Sequence, residues 1–567
     1  MTLRHIRQVT KNRVIPSMRQ FKHFNQVLNK TEKRILLSSI FILIISFGFL
    51  SSWYVITHRV EMPAVGGSYT EALVGEPQLI NPLYASASDV DTDLVKLIYS
   101  GLTKWDAKQG FIPDLASAIF ISEDGKTYTV RINEDAHFHN GTQVRSRDVL
   151  FTISAIQNPL YRSPLAITFQ DVTVNQVDDQ TISFELKQPN NSFLSALSVG
   201  ILPSEIWGDV PPKNATFASF NIEPIGSGPY KFKEFSIDKK GSIKSYTLQR
   251  NSKYYNDGPL IESLIFKFFQ DSDSALTALE NKQVEGVNYV PANWLEKVES
   301  NKTLQTLNPL MMRQVSLFFN SDNKAELKTK EIRKGIAEAI NKEEVVSKVL
   351  NGHANVIYGP ILPSLDAQEK TEFSNEFNIE NSKALIEKNT TKKEEEPRLS
   401  LTLTTIEHPE FMAVAQLIAQ QLKEVDVDIN IEGVAQERFF PDVLESKSFT
   451  LLLTGALLGA YPDPYPFWHS SQKQKGGLNL ASYGNRNTDK ILEDAMQAVD
   501  REEQIKKYKE FRNILEQEIP AVFLYQSTYT YAISSKINNI SIDVLGKPSD
   551  RFSNITSWYI KTKKVLQ

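Results

Sequence analysis

The sequence predicts a mixed α/β protein of several domains held behind one transmembrane helix. Three observations predict it: an uncharged apolar run at 35–56, a first third of short alternating strands broken by turn residues and brief helices, and a later unit in which strand, amphipathic helix and strand follow one another. The 567 residues exceed what one ordinary core holds, and the roughly 500 after the apolar run suit about two to four domains.

Residues 35–56 carry no charge and have about the 20 residues a helix needs to cross a bilayer. Before them stand Arg4, Arg7, Lys11, Arg13, Arg19, Lys22, Lys30, Lys33 and Arg34 against the single acid Glu32. Positive charge stays inside, so 1–34 is expected to be a cytoplasmic basic arm and the remainder to lie outside, extracellular or periplasmic. A cleaved signal peptide has a shorter apolar region, about 7–15 residues, and a small-residue cleavage site. Here the run ends in Trp53-Tyr54-Val55-Ile56, the signature of an uncleaved single-pass anchor with its aromatic residues at the outer interface. Residues 57–66, with Pro63 and Gly66, read as a linker.

Net charge is −4, and the basic arm holds much of the positive charge, so the exported part is acidic and nucleic acid is not an expected partner. Cysteine is absent, which excludes disulfides, thiolate metal sites, thiol nucleophiles and a lipid-modified cysteine. With 20 Tyr and 31 Phe, aromatic side chains suffice for a core and a ring-lined cleft.

A strand is predicted over 68–74, followed by a loop through Glu76, Gln78 and Leu79 to Tyr84. Leu94, Leu97 and Ile98 give 91–99 helical spacing. The turn at 123–126 introduces a strand at 128–132, and Asn140-Gly141 marks another turn. Residues 146–156 read as a helix with Ser146 as cap; 172–177 and 181–186 read as strands. Further strands are predicted at 231–235, 245–249 and 264–269, then a helix at 273–281 and a helix pair over 330–350. The charged stretch 387–397 reads as a solvated loop. A strand at 399–405, a helix at 412–425 and a strand at 428–433 make one α/β unit. The apolar run 449–455 reads as a buried strand feeding Ala460-Tyr461-Pro462-Asp463-Pro464, and ligand loops sit at such carboxyl ends. Helix over 489–517 and strands at 521–525 and 529–533 complete the chain.

No enzyme constellation is present: there is no Gly-x-Ser-x-Gly elbow, His-Glu-x-x-His pair or Walker lysine loop. Gly226-Ser227-Gly228-Pro229-Tyr230 reads as a structural turn rather than a phosphate cradle, because Pro229 lacks an N–H and a strand follows. His137 and His139 share one strand face but lack an evident third metal ligand, and no cofactor is expected. Asp463, with Tyr461, Tyr465, Phe467 and Trp468 around it, fits either a cationic-group contact in a cleft or a proline-rich structural turn.

The ordered series of short segments over 67–567 resembles the bacterial extracellular solute-binding proteins of family 5, the peptide/nickel-type substrate-binding subunits of ABC importers. It includes Asn81-Pro82-Leu83-Tyr84, Pro113-Asp114-Leu115-Ala116, Phe138-His139-Asn140-Gly141-Thr142, Gly226-Ser227-Gly228-Pro229-Tyr230, Ile332-Arg333-Lys334-Gly335-Ile336, Tyr461-Pro462-Asp463-Pro464 and Ile519-Pro520. The resemblance implies a two-lobed periplasmic-binding-protein-like fold of class II, with an extra small domain in lobe I. Lobe I would take 67–268 and the return from 527 to 567, with the extra domain near 89–212; lobe II would take 269–526.

It also implies ligand capture between the lobes by Glu76, Gln78, Leu79, Gly455, Leu457, Gly459, Ala460, Tyr461 and Asp463. Peptide-binding relatives usually carry an aspartate where this chain has Ala460, and dipeptide-binding relatives an arginine in a region where 402–411 offers Glu407 and His408 and no arginine. An oligopeptide held along its backbone is therefore the expected ligand, delivered by a monomer to ABC permease subunits. The alternatives are a ligand-sensing receptor, or a binder of a metal chelate or sugar, on the same fold.

Overall fold

The protein is described from a computed structural model, in residues 28–106, 109–190, 192–362, 375–392, 394, 396–458, 463–498 and 501–566. The chain divides into two units, one of 1–64 with 561–567 and one of 65–560.

In the smaller unit a helix runs over Lys30–Thr57, capped by Asn29 with Glu32 folding back onto the cap N–H. Among the described residues it is the one helix long and apolar enough to cross a membrane, and none of it is buried. The expected linker is not irregular: Arg59–Ala64 forms a strand that pairs antiparallel with Lys561–Leu566, the end of the described chain. Pro63 had argued against a strand, but on a two-stranded ribbon every residue is at an edge, where proline is tolerated.

The larger unit is built on two seven-stranded sheets. The order in the first is Leu304–Leu307, Tyr531–Ser534, Gly286–Val287, Ser68–Val74, Ser263–Phe269, Ile243–Arg250 and Tyr230–Ile237. Its central strand Ser68–Val74 spans the predicted residues and runs parallel to both neighbours. The expected lobe boundary at 269 falls within this domain: the helix Ser272–Glu280 and the strands Gly286–Val287 and Leu304–Leu307 stay with the first sheet. The physical reason is the second apolar face of the sheet, which Leu276, Leu279, Val284 and Val298 cover together with Ala72 and Ala532.

The second sheet begins at Leu310–Phe319, a ten-residue strand whose Met-Met-Arg-Gln start hides its period. It lies between Ala521–Thr528 and Leu451–Leu457; beyond the latter come Leu399–Ile406 and Val427–Val434, joined by the helix Pro409–Lys423 as the expected α/β unit. The helix expected over 489–517 is two helices, Arg486–Gln497 and Arg501–Glu518.

Within the first-sheet domain stands a smaller four-stranded sheet, ordered Ala116–Ile121, Thr127–Ile132, Thr181–Leu186 and Val172–Gln176, with the helix Ser146–Gln157 packed on it. Ser146 is that helix's first residue and not its cap; its hydroxyl donates to the Asp178 carbonyl, while Asp148 holds the Arg145 N–H.

The chain passes between the two large sheets at 308–309 and 529–530, and returns to the second once more where Val544–Leu545 pairs with Leu310–Phe319; the first two connections bond to each other. Tyr529 N donates to Pro309 O at 2.8 Å and Thr530 Oγ1 to Asn308 Oδ1 at 2.8 Å.

Candidate functional site

The first sheet is pinned by a buried charge cluster. Glu71 on the central strand, Asp93 on the helix Asp89–Ile98 and Arg551 near the C-terminus are all almost wholly buried. Arg551 donates to Glu71 Oε1 at 2.7 and 3.0 Å and to Asp93 at 2.6 and 2.7 Å, and the Tyr69 and Tyr531 hydroxyls each donate to Glu71 Oε2 at 2.7 Å. Such paired, fully bonded charges are tolerated where a lone one is not. Burial, only partly offset by Arg551, pushes the Asp93 carboxyl up to about 6.

Next to this cluster opens a cavity of about 1110 Å³. Its walls come from the helix Asp89–Ile98 (Asp89, Lys96), the small subdomain and its connections (Trp105, Phe111, Phe169), the loop at Tyr254 to Asp257, the C-terminal turn (Lys547, Asp550, Phe552), and Leu457 at the end of the second sheet's strand. It is thus lined from both lobes. Two of its charge pairs are internal, Lys104 with Asp114 at 3.4 Å and Lys96 with Asp550 at 3.9 Å. Burial lowers the Lys96 ammonium, and Asp550 opposes that shift.

Leu457 is half exposed in the cavity wall. Glu76, Gln78 and Leu79 are not in that wall: Glu76 and Gln78 are exposed, and Leu79 packs on the first core. The loop is held by Asp91, whose carboxylate accepts the Gln78 N–H at 2.9 Å and the Leu79 N–H at 3.0 Å. Those two donors are therefore already used. Gly455 sits where a side chain would touch Arg313 Cδ and Phe411 Cζ at 3.5 Å. Gly459, Ala460 and Tyr461 lie outside the described residues. The Asp463 carboxylate accepts the Tyr465 N–H at 2.9 Å, an Asx turn opening the short helix Tyr465–Trp468. Burial raises its pKa.

One charged group beside Leu457 was invisible in the sequence. Arg313 lies directly opposite Leu457 in the strand register. Its Nε and Nη2 reach Ser527 Oγ at 3.1 and 2.9 Å, and Nη2 lies 3.5 Å from Glu410 Oε1. Glu410 also accepts from the Tyr525 hydroxyl at 2.9 Å. The guanidinium is held on one edge, and the side chain as a whole is 34 % exposed. Tyr289, from the first-sheet domain, feels both charges, although burial is the main cause of its raised pKa. No motif marks Arg313, because its partners are distant in sequence and meet only through strand pairing.

The turn at Gly226-Ser227-Gly228 is structural. A Cβ at Gly226 would lie 2.1 Å from Ile98 O and one at Gly228 2.6 Å from Leu97 O, so only glycine lets the turn pack on the helix end. His139 clamps it: Gly226 N donates to Nδ1 at 3.3 Å and Nε2 donates to Gly228 O at 3.1 Å. Burial lowers the imidazole to about 4. His137 instead bonds the Asp135 carbonyl.

Two lobes with a cavity lined from both are the form of a solute-binding protein. The chain belongs to the bacterial extracellular solute-binding proteins, family 5, whose model matches residues 110–479. It is 29 % identical over 514 residues to the oligopeptide-binding protein AppA of Bacillus subtilis, covering 88 % of this chain and 92 % of that one. The structure of that protein in complex with a nonapeptide superposes with a TM-score of 0.71 at 28 % identity, over 88 % of this chain and all of the other. The fold is shared by NikZ from Campylobacter jejuni in complex with Ni(L-His), with a TM-score of 0.69 at 24 % identity over 87 % of this chain and 99 % of that one.

Proposed function

We propose that this chain is the membrane-anchored, extracellular binding component of an ABC importer, which takes an oligopeptide into the interlobe cavity and passes it to permease subunits. The observation that carries the reading is the size and lining of the cavity. At about 1110 Å³ it exceeds the roughly 300–1,000 Å³ typical of small-molecule sites, which favours several residues of peptide over a compact metal chelate or sugar. The likeness to an oligopeptide-binding protein along nearly the whole chain supports the same choice.

Within the cavity the ligand meets Leu457 at the end of the second sheet's strand, and its path follows that strand end from Gly455 through Gly459, Ala460 and Tyr461 toward Asp463. Arg313 is the group for its carboxylate: Ser527 and Glu410 hold one edge of the guanidinium, so little ordering entropy remains to be lost on binding. Closure bends the connections at 308–309 and 529–530. The helix Lys30–Thr57 stays attached as the membrane anchor.

The test is isothermal titration of the full chain in detergent against an oligopeptide mixture, a dipeptide set and nickel–histidine. Peptide binding with Kd in the micromolar range or tighter is expected. Binding of nickel–histidine alone would overturn the peptide reading. Arg313→Met should weaken a free-carboxylate peptide about tenfold, or roughly 1.4 kcal/mol, and leave its C-terminal amide unchanged.

A further inference from the structure

The ribbon formed by Arg59–Ala64 and Lys561–Leu566 belongs to no core. All but one of the residues of its first strand are exposed, as are Lys561 to Val565 of the second. An isolated pair of strands is marginal in water, so its two faces matter.

Residues directly opposite in an antiparallel pair share a face. The register puts Val60 against Val565, Met62 against Lys563 and Ala64 against Lys561. The other face holds Arg59, Glu61 against Lys564, and Pro63 against Thr562, with Glu61 and Lys564 3.9 Å apart. One face is therefore apolar and cationic without an acid, with Val60, Met62 and Val565 at 44, 49 and 36 % exposure; on the other, the acid Glu61 faces Lys564 beside Arg59.

We propose that the Val60, Met62, Val565, Lys561 and Lys563 face lies flat on the anionic phospholipid headgroups of the membrane that the preceding helix crosses. The proposal rests on the anchor reading above. Chain continuity supplies the first argument: the helix ends at Thr57, Trp53 and Tyr54 mark the interfacial depth where aromatic belts sit, and the first strand starts two residues later. Charge supplies the second, since apolar residues interleaved with lysine fit an interface of acyl chains and phosphate.

Length supplies the third. Six residues of strand reach about 20 Å, whereas a headgroup layer is only about 5–8 Å thick. An upright ribbon would leave that layer within its first residues, and only a ribbon lying along the surface keeps Met62 and Lys563 in it. The chain's last described strand is thereby tied to the membrane plane, which limits the freedom of whatever it connects to.

The absence of cysteine makes the test clean. Single variants Val60→Cys, Met62→Cys and Glu61→Cys of the full chain, each carrying an environment-sensitive fluorophore, are reconstituted into phosphatidylglycerol–phosphatidylcholine vesicles with headgroup-region spin-labelled lipid. The labels at 60 and 62 should both be blue-shifted and quenched about twofold more than the one at 61. Vesicles of phosphatidylcholine alone, high salt, or Lys561→Gln with Lys563→Gln should remove at least about half of that difference.

Equal quenching at 60, 61 and 62, quenching at 60 without 62, or indifference to lipid charge would overturn the proposal. So would energy transfer between labelled copies in place of lipid quenching, which would make the occupant a second chain. Flotation in alkaline carbonate separates the two readings. A chain that floats with its labels in water loses only the ribbon proposal, and one that does not float loses the anchor as well.

Discussion

Arg551 holds the first domain's buried charge cluster together, because it bonds both Glu71 and Asp93 where all three are almost wholly buried. Removing one partner of a buried ion pair leaves a charge that water cannot reach. Arg551→Met should lower unfolding free energy by about 3–5 kcal/mol, read from denaturant midpoints. His139 makes a pH prediction. Its folded pKa of about 4 lies below the unfolded value of about 6.5, so the unfolded chain binds more protons between them. Its contribution is complete above pH 6.5 or so and is lost as pH falls toward 4. Asp93, raised to about 6, acts in the opposite sense over part of that window. His139→Gln should therefore flatten acid destabilisation relative to the parent, in melting curves taken between these pH values. A parallel pair of profiles would remove the histidine from the account. Neither residue was recognisable for its role: a histidine two positions from another reads as a metal candidate until Gly226 and Gly228 are seen against it.

Elements were readable wherever their period was pure. The strand Ser68–Val74, the helix Asp89–Ile98 and the unit from Leu399–Ile406 to Val427–Val434 lie within a few residues of their expected places. The strand Leu310–Phe319 was missed, because its first half, of Leu and Met without β-branching and of Arg and Gln, carries no strong strand preference. It is nonetheless central, since both neighbours pair with it and override local propensity. The turn at Gly226 to Gly228 was readable as a turn, but the reason for its glycines was not. Gly226→Ala must push the turn off the end of the helix Asp89–Ile98; the expected loss is about 1–3 kcal/mol, measured by thermal or chemical unfolding. A neutral substitution would show that the contact with Ile98 O can relax.

At the scale of the whole molecule, the connections at 308–309 and 529–530 join the two sheets and bond to each other. If Asn308 and Thr530 couple them, Asn308→Ala with Thr530→Val should loosen the hinge. Small-angle scattering without ligand should then show a larger radius of gyration, peptide should still compact the chain, and affinity should fall by several-fold through the added entropy of closure. The sequence by itself determined the apolar helix, most of the strands and the absence of thiol chemistry, because composition, periodicity and turn residues act over a few neighbours, and the class of protein was legible only through the resemblance its ordered segments carry. Only the tertiary structure decided that 286–307 stays with the first sheet, that the supposed linker is one strand of a ribbon closed by residues some 500 positions away, and that Arg313 stands beside Leu457. Each depends on pairing between distant strands, and strand pairing leaves its signature in the partner's sequence as much as in its own.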